Sequence, residues 1–302
     1  MDYRKLSEIN VSNLCFGTAT FVAGRLFPKK KSQPGIDSLE YAIQNGINFI
    51  HSNSNLNTQW ATRKVLNKER INKKIFNIIK IETPLNDDFS DLYEYFSEKI
   101  EISMHNLDLK RIFGIIYEID IKKTNHKDRP RIKDFIIHNF LKVKRAFDKI
   151  KNEGKVDILI CMTHNELEMK TALDFGCFDG YSAYFNLIDT WPLKYFDQIK
   201  RQSKSFIGIR PLKMGVLTNS FFNRYQIKND RFIRHLTYLK KFLNGRSTLQ
   251  DFSIRFSLAH PAVKSVIVGM SKKEHVNELI NASMNPLSLK EFTEISTSLE
   301  SN

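Results

Sequence analysis

Four residues of chemically active type stand at the ends of short apolar runs. His51 follows Ile47–Ile50, Lys80 follows Ile75–Ile79, Glu118 follows Ile112–Tyr117, and His164 lies just past Val156–Cys161. A carboxylate beside a lysine can serve as an acid or base, and a histidine ordinarily titrates near neutrality. The plainer reading of the same residues is a buried Lys80–Glu118 ion pair with His51 hydrogen-bonded nearby, which needs no substrate. Asn53 and Asn55 follow His51, but neither an H-x-H nor an H-x-x-x-H spacing occurs, so no metal is expected. Cys15, Cys161 and Cys177 are far apart and show no ligand spacing; Cys15 and Cys161 read as small core fillers.

For those residues to meet, the runs that end in them must be neighbouring strands of one sheet. Short β-rich segments alternate with longer amphipathic ones, as in a βαβ series with a parallel sheet. The strand candidates are Asn13–Phe16, Ile47–Ile50, Ile75–Ile79, Ile112–Tyr117, Val156–Cys161, Gly180–Ala183, Phe206–Ile209 and Ser265–Val268. Helices are expected over Ile36–Gln44, Ala61–Leu66, Leu92–Leu107, Ile137–Asn152, Glu166–Asp174, Leu193–Gln202, Leu249–Leu258 and Lys273–Ala282. A last helix, about Leu289 to Leu299, starts at Ser288 with Glu291 at capping-box spacing. Gly46 and Gly154 each sit just past a helix, where a left-handed cap forms. Several strands are almost continuously apolar, as when both faces are covered.

Eight strand–helix units in one chain of 302 residues point to a single (β/α)8 TIM barrel with a C-terminal helix, spanning 1–302 as one domain. The C-terminal strand ends are then where chemistry collects. No Gly-rich phosphate loop follows the first strand, which disfavours a Rossmann sheet. The start of the chain leads into no apolar leader segment, and no run is long enough for a membrane span; the cytoplasm is the expected compartment. The formal charge of +14 has two readings. It could attract a polyanion such as nucleic acid or a phosphorylated cofactor, or it could reflect lysines scattered over solvated helix faces. Short runs such as Lys29-Lys30-Lys31, without any nucleic-acid motif, favour the second. The charged loop Lys122–Pro130 reads as a surface loop after the fourth strand.

End to end, the chain resembles the aldo-keto reductases. The resemblance rests on Tyr3–Leu6 through Leu14-Cys15-Phe16-Gly17-Thr18, on Gly46–Ile50, and on Glu153-Gly154-Lys155-Val156. It continues through Pro211-Leu212 with Gly215 and Leu217, and through Ala259–Val263 leading to Val266-Ile267-Val268-Gly269 and Glu278. The resemblance implies a barrel in which NADPH delivers hydride to a carbonyl while a Tyr, assisted by a Lys–Asp pair and a His, donates the proton. Carried over, the Lys is Lys80, but the Asp position is His51 and the Tyr position is Leu56. The His position is Glu118, or Tyr117 if the fourth strand is shifted by one residue.

The cofactor residues implied are Gly17, Thr18, Thr163, Ser182, Arg210, Leu212, Gly215, Ser271, Lys272, His275 and Glu278, with NADP as the cofactor. Several depart from the family pattern. Met162 and Thr163 replace a Ser-Asn pair, Ser182 a Gln, and Ile209 a ring that stacks on the nicotinamide. The resemblance thus implies an NADP(H)-associated oxidoreductase with weak or altered carbonyl or ene reduction, acting on a small carbonyl or sugar-like molecule. The alternatives are a catalytically inactive barrel that serves as a binding or regulatory subunit for a protein partner, and a basic polyanion-binding module.

Overall fold

A computed structural model describes residues 1–69, 73–84, 92–120, 132–218, 237–239, 241–243 and 248–300. Eight parallel strands close into a barrel: β3 (Leu14–Gly17), β4 (Phe49–Ser52), β5 (Phe76–Pro84), β6 (Ile112–Asp120), β7 (Val156–Met162), β8 (Gly180–Tyr184), β9 (Ser205–Ile209) and β10 (Val263–Val268). β10 pairs with both β9 and β3 and so completes the ring. Before it, β1 (Tyr3–Leu6) and β2 (Ile9–Ser12) form an antiparallel hairpin. Leu6 and Val11 of this hairpin join the cluster inside the barrel and plug its N-terminal end. Arg4 ties the plug down by donating to the carbonyls of Leu258 at 2.9 Å and Val263 at 2.7 Å.

The helices are α1 (Gln33–Gln44), α2 (Gln59–Glu69), α3 (Leu92–Leu107), α4 (Ile132–Asn152), α5 (Glu166–Phe175), α6 (Phe196–Arg201), α7 (Leu249–Ser257), α8 (Lys273–Ser283) and α9 (Leu289–Glu300). The period-2 alternation of each strand divides its side chains between two cores. Cys15, Phe49, Ile78, Ile116, Ile158, Ile160, Ile207 and Ile267 pack inside the barrel, while Leu14, Ile50, Ile79, Tyr117, Leu159 and Phe206 face the helices. Gly46 (φ 96°) and Gly154 (φ 70°) adopt the left-handed conformation that ends α1 and α4, as their positions predict. The Ser288 cap also forms: its amide donates to Glu291 Oε2 at 2.9 Å, and the Glu291 amide returns to Ser288 Oγ at 3.3 Å.

The structure corrects the expected boundaries where polar residues enter strands. β5 continues to Pro84 and β6 to Asp120, so Lys80 and Glu118 lie within the ladder, with Glu82 paired to Glu118. Likewise β4 runs past His51 to Ser52. The sixth helical stretch is a 3-10 turn, Trp191–Tyr195, running into the short α6. The loop Lys122–Pro130 lies outside the described residues.

Candidate active site

Alternation along β5 turns Lys80 and Glu82 to the same inner face as Phe76 and Ile78. β6 does the same for Glu118 beside Ile116, and this register settles the choice against Tyr117. Tyr117 is buried in the helix layer, its ring edge-on to Phe96 at 5.8 Å, and takes no part in the mouth. The inner carboxylate is Glu118.

Glu118 is held at both oxygens. Lys80 Nζ bonds its Oε2, and His164 Nε2 donates to its Oε1 at 2.7 Å. Lys80 also reaches Glu82 Oε1 at 2.9 Å. Burial alone would push the Glu118 carboxyl up, but the His164 hydrogen bond and the charge and hydrogen bond of Lys80 outweigh it and bring it to about 2. For Lys80, burial lowers the pKa, yet the charge and hydrogen bond of Glu118 and the bond to Glu82 leave it raised. Both groups stay charged at neutral pH, so the ion pair read from the sequence forms.

The expected part of His51 does not. Its Nε2 is buried without a hydrogen-bond partner among the described residues, and the histidine that completes the pair is His164. Burial and then the Lys80 charge push His51 down to about 3, despite Glu118. Near neutrality it is an uncharged imidazole and not a titrating group. Leu56, where the resemblance calls for a tyrosine, ends the single turn Ser54–Leu56 after β4, whose start is capped by Asn53 Oδ1 accepting from the Asn55 amide at 2.9 Å.

Across the barrel, Ser182 faces inward on β8, and its Oγ is buried without a partner among the described residues. Two residues on, Tyr184 pairs with Ile209 of β9 and points the same way. Its ring meets the His164 ring edge-on at 5.7 Å, and the Arg210 guanidinium lies 4.2 Å over it. Arg210, Lys213 and Met214 all have positive φ, giving the turn after β9 a shape that side-chained residues seldom adopt. Leu212 accepts from the Gly215 amide at 2.8 Å within that turn, and Gly215 itself has φ 92°.

The remaining expected cofactor residues fall into two groups. Gly17 lies so close to β10 that an added Cβ would sit 3.2 Å from Ile267, and the Thr18 amide donates to the His51 carbonyl at 3.0 Å. The Thr163 amide donates to Ser182 O at 2.9 Å, joining β7 to β8 at the mouth. At the rim, Lys272 is the N-cap of α8 and supplies no side-chain cap, so the first-turn amides have no such acceptor. Ser271 precedes it and His275 is exposed one turn in. Lys30 approaches from the loop after β3; burial and the Lys272 charge lower its pKa. Glu278 accepts from Gln250 Nε2 at 2.6 Å and lines a cleft of about 720 Å³ between α7, α8 and α9, outside the barrel.

Sequence reasoning missed Glu82 and Tyr184. Each stands two residues beyond a residue that was singled out, Lys80 and Ser182, and period 2 places them on the same face. Among the described residues no cluster of metal-ligand side chains occurs, and no helix is long and apolar enough to cross a membrane.

No curated protein matches the chain in sequence. In solved structures, the holo form of the aldo-keto reductase AKR11C1 from Bacillus halodurans superposes with a TM-score of 0.77 at 19% identity, over 99% of this chain and 96% of that one. The glycerol dehydrogenase AKR11B4 from Gluconobacter oxydans gives 0.75 at 15% identity, over 99% and 94%. At such identities the likeness is one of fold. The sequence model of the Aldo/keto reductase family, however, matches residues 13–300. With nearly the whole barrel inside that match, the chain belongs to the aldo/keto reductase family.

Proposed function

We propose that this chain is an NADP(H)-associated oxidoreductase whose carbonyl or ene reduction is weak or altered because its own proton donor is gone. The observation that carries the reading is that Ser182 Oγ and His51 Nε2, both inside the barrel, have no hydrogen-bond partner among the described residues. A buried polar atom without a partner costs about 1–3 kcal/mol, and a ligand that supplies the partner removes that cost. Ser182 stands where the resemblance expects a cofactor contact, so the residues fit a nicotinamide. Gly17, Thr18, Thr163, Ser182, Leu212 and Gly215 would hold that end. Ser271, Lys272, His275 and Lys30, at an α8 N-terminus that favours anions, would hold the phosphate end.

When bound, NADPH supplies a hydride. The chain's own residues can orient and polarise a substrate through the fixed charge of Lys80. They cannot readily give it a proton, since Glu118 is held ionised and Lys80 is held protonated by two carboxylates. Leucine at position 56 has nothing to donate. This self-neutralised network also favours the second reading, a barrel that binds the cofactor without turnover and acts as a binding or regulatory subunit. Titration with NADPH, read by quenching of protein fluorescence, tests the shared premise. Saturable binding is expected; no binding at roughly several hundred micromolar, weaker than about −5 kcal/mol, would contradict both readings.

A further inference from the structure

The positive charge is not carried in the same way on all faces. On the segments that follow β6 and β8 it is matched: Lys144 pairs with Asp148 and Lys151 with Asp179, and Lys194 reaches Glu166 Oε1 at 2.7 Å. The segments that follow β3 and β4 differ. Between Glu8 and Asp37, and again between Glu40 and Glu69, the sequence holds no carboxylate residue. Arg25, Lys29 and Lys31 in the first segment, and Arg63 and Lys64 in the second, are exposed and have no ion-pair partner among the described residues. Large apolar side chains stand among these cations: Leu26 is 53% exposed, Phe27 47% and Trp60 45%. The two segments are joined, since the Arg25 amide donates to the Leu56 carbonyl at 2.9 Å, and a Cβ added to Gly24 would sit 2.5 Å from the same oxygen. Two turns fix the loop, with the Phe27 amide on Gly24 O at 3.1 Å and the Lys30 amide on Phe27 O at 3.2 Å. On α2, Trp60, Arg63 and Lys64 follow at i, i+3 and i+4 and share one exposed face.

We infer that this surface, with Leu26, Phe27 and Trp60 set among unpaired cations, docks on an anionic lipid surface. Exposed apolar groups of this size mark an interaction surface. A bilayer interface offers what the face lacks, negative headgroups for the cations and an apolar layer just beneath for the side chains. Lysine and arginine stems reach from the apolar layer to the headgroups, and tryptophan favours that boundary. Charge alone suits nucleic acid equally, but Leu26 has no ring on which a base could stack and gains nothing from a phosphate backbone. Such docking is peripheral and needs no membrane-crossing helix. The face adjoins the C-terminal ends of β3 and β4, so docking brings the barrel mouth toward the lipid. It is independent of the proposed reduction.

Flotation of the full chain with phosphatidylcholine vesicles, with and without about one third phosphatidylserine, tests this. Binding is expected only with phosphatidylserine and should weaken steeply as salt rises. Leu26→Ser combined with Phe27→Ser should weaken it roughly tenfold or more through lost apolar burial, and Lys29→Gln and Arg63→Gln by about fivefold each. Lys290→Gln, at an exposed lysine on α9, should change nothing. Tryptophan emission should shift to shorter wavelength on the vesicles, and Trp60→Phe, which leaves Trp191, should abolish the shift. No binding to either vesicle would overturn the inference and leave the face to an acidic protein. Binding that depends on Lys29 and Arg63 but not on the apolar pair would also overturn it, as mere adsorption of a basic protein. A single-stranded oligonucleotide bound more tightly than the vesicles, and lost in the same variants, would assign the face to nucleic acid instead. Should the double serine variant fail to fold, Phe27→Ser alone and the Trp60 shift decide.

Discussion

The β5–β7 side of the mouth and the β8–β10 side are built from similar materials and end in opposite states. On the first, Lys80, Glu82, Glu118 and His164 satisfy one another. On the second, among the described residues, Ser182 Oγ has no partner, Arg210 has no counter-ion, and the N-cap of α8 makes no side-chain cap. In this family the first side is where the resemblance expects the proton chemistry and the second where it expects the cofactor. The contrast teaches that polar residues at one mouth can serve two ends. A closed network stabilises itself and has little to offer a reactant, whereas open valences are what a ligand can use.

The largest effect should come from opening the closed side. Glu118→Ala leaves His164 without its carboxylate and Lys80 with Glu82 alone in a partly buried place, a loss expected at up to about 3–5 kcal/mol by denaturant unfolding. The double variant Lys80→Met with Glu118→Leu should cost clearly less than Glu118→Ala, because the more buried pair is removed whole and the only charge left without its partner is Glu82, the most exposed member of the network. A double variant at least as damaging as the single would show that the network does not act as a unit.

A more gradual effect concerns pH. His51 has a folded pKa depressed to about 3, so it contributes stability that is present above its unfolded value near 6.5 and is lost as pH falls toward 3. Unfolding free energy should drop by up to about 1.4 kcal/mol per pH unit in that window, and His51→Leu should flatten the slope. Glu118, also depressed, contributes stability present above the unfolded carboxylate value of 4.5 and lost as pH falls from there to about 2, so its window overlaps that of His51 below 4.5 and alone extends to the lowest pH. An unchanged slope in His51→Leu would mean that His51 is solvated.

Much of this architecture was legible before any coordinates. Strands such as Ile158-Leu159-Ile160-Cys161, and glycines at 46 and 154, carry local signals that survive tertiary packing. The ends of β5 and β6 were not legible, because the apolar runs stop at Ile79 and Tyr117, and Glu82 and Glu118 enter the ladder only where a partner strand and a lysine make carboxylates acceptable inside a barrel. Lys80 with Glu118 was readable from position alone. The grip of His164 on Glu118 and the stack of Arg210 on Tyr184 join residues far apart in sequence, and no period encodes them. His51 misled for a related reason: its ordinary pKa applies in water, and burial beside Lys80 removes it from that range.

The central claim is that the barrel and its cofactor side persist while the proton donor has gone. Steady-state consumption of NADPH with a panel of aldehydes, compared between wild type and Leu56→Tyr, tests it most directly. The account predicts that both proteins bind NADPH and that Leu56→Tyr reduces aldehydes faster by a factor of about 10² to 10⁴, the usual weight of a positioned general acid. Rapid aldehyde reduction by wild type, unimproved by Leu56→Tyr, would contradict it.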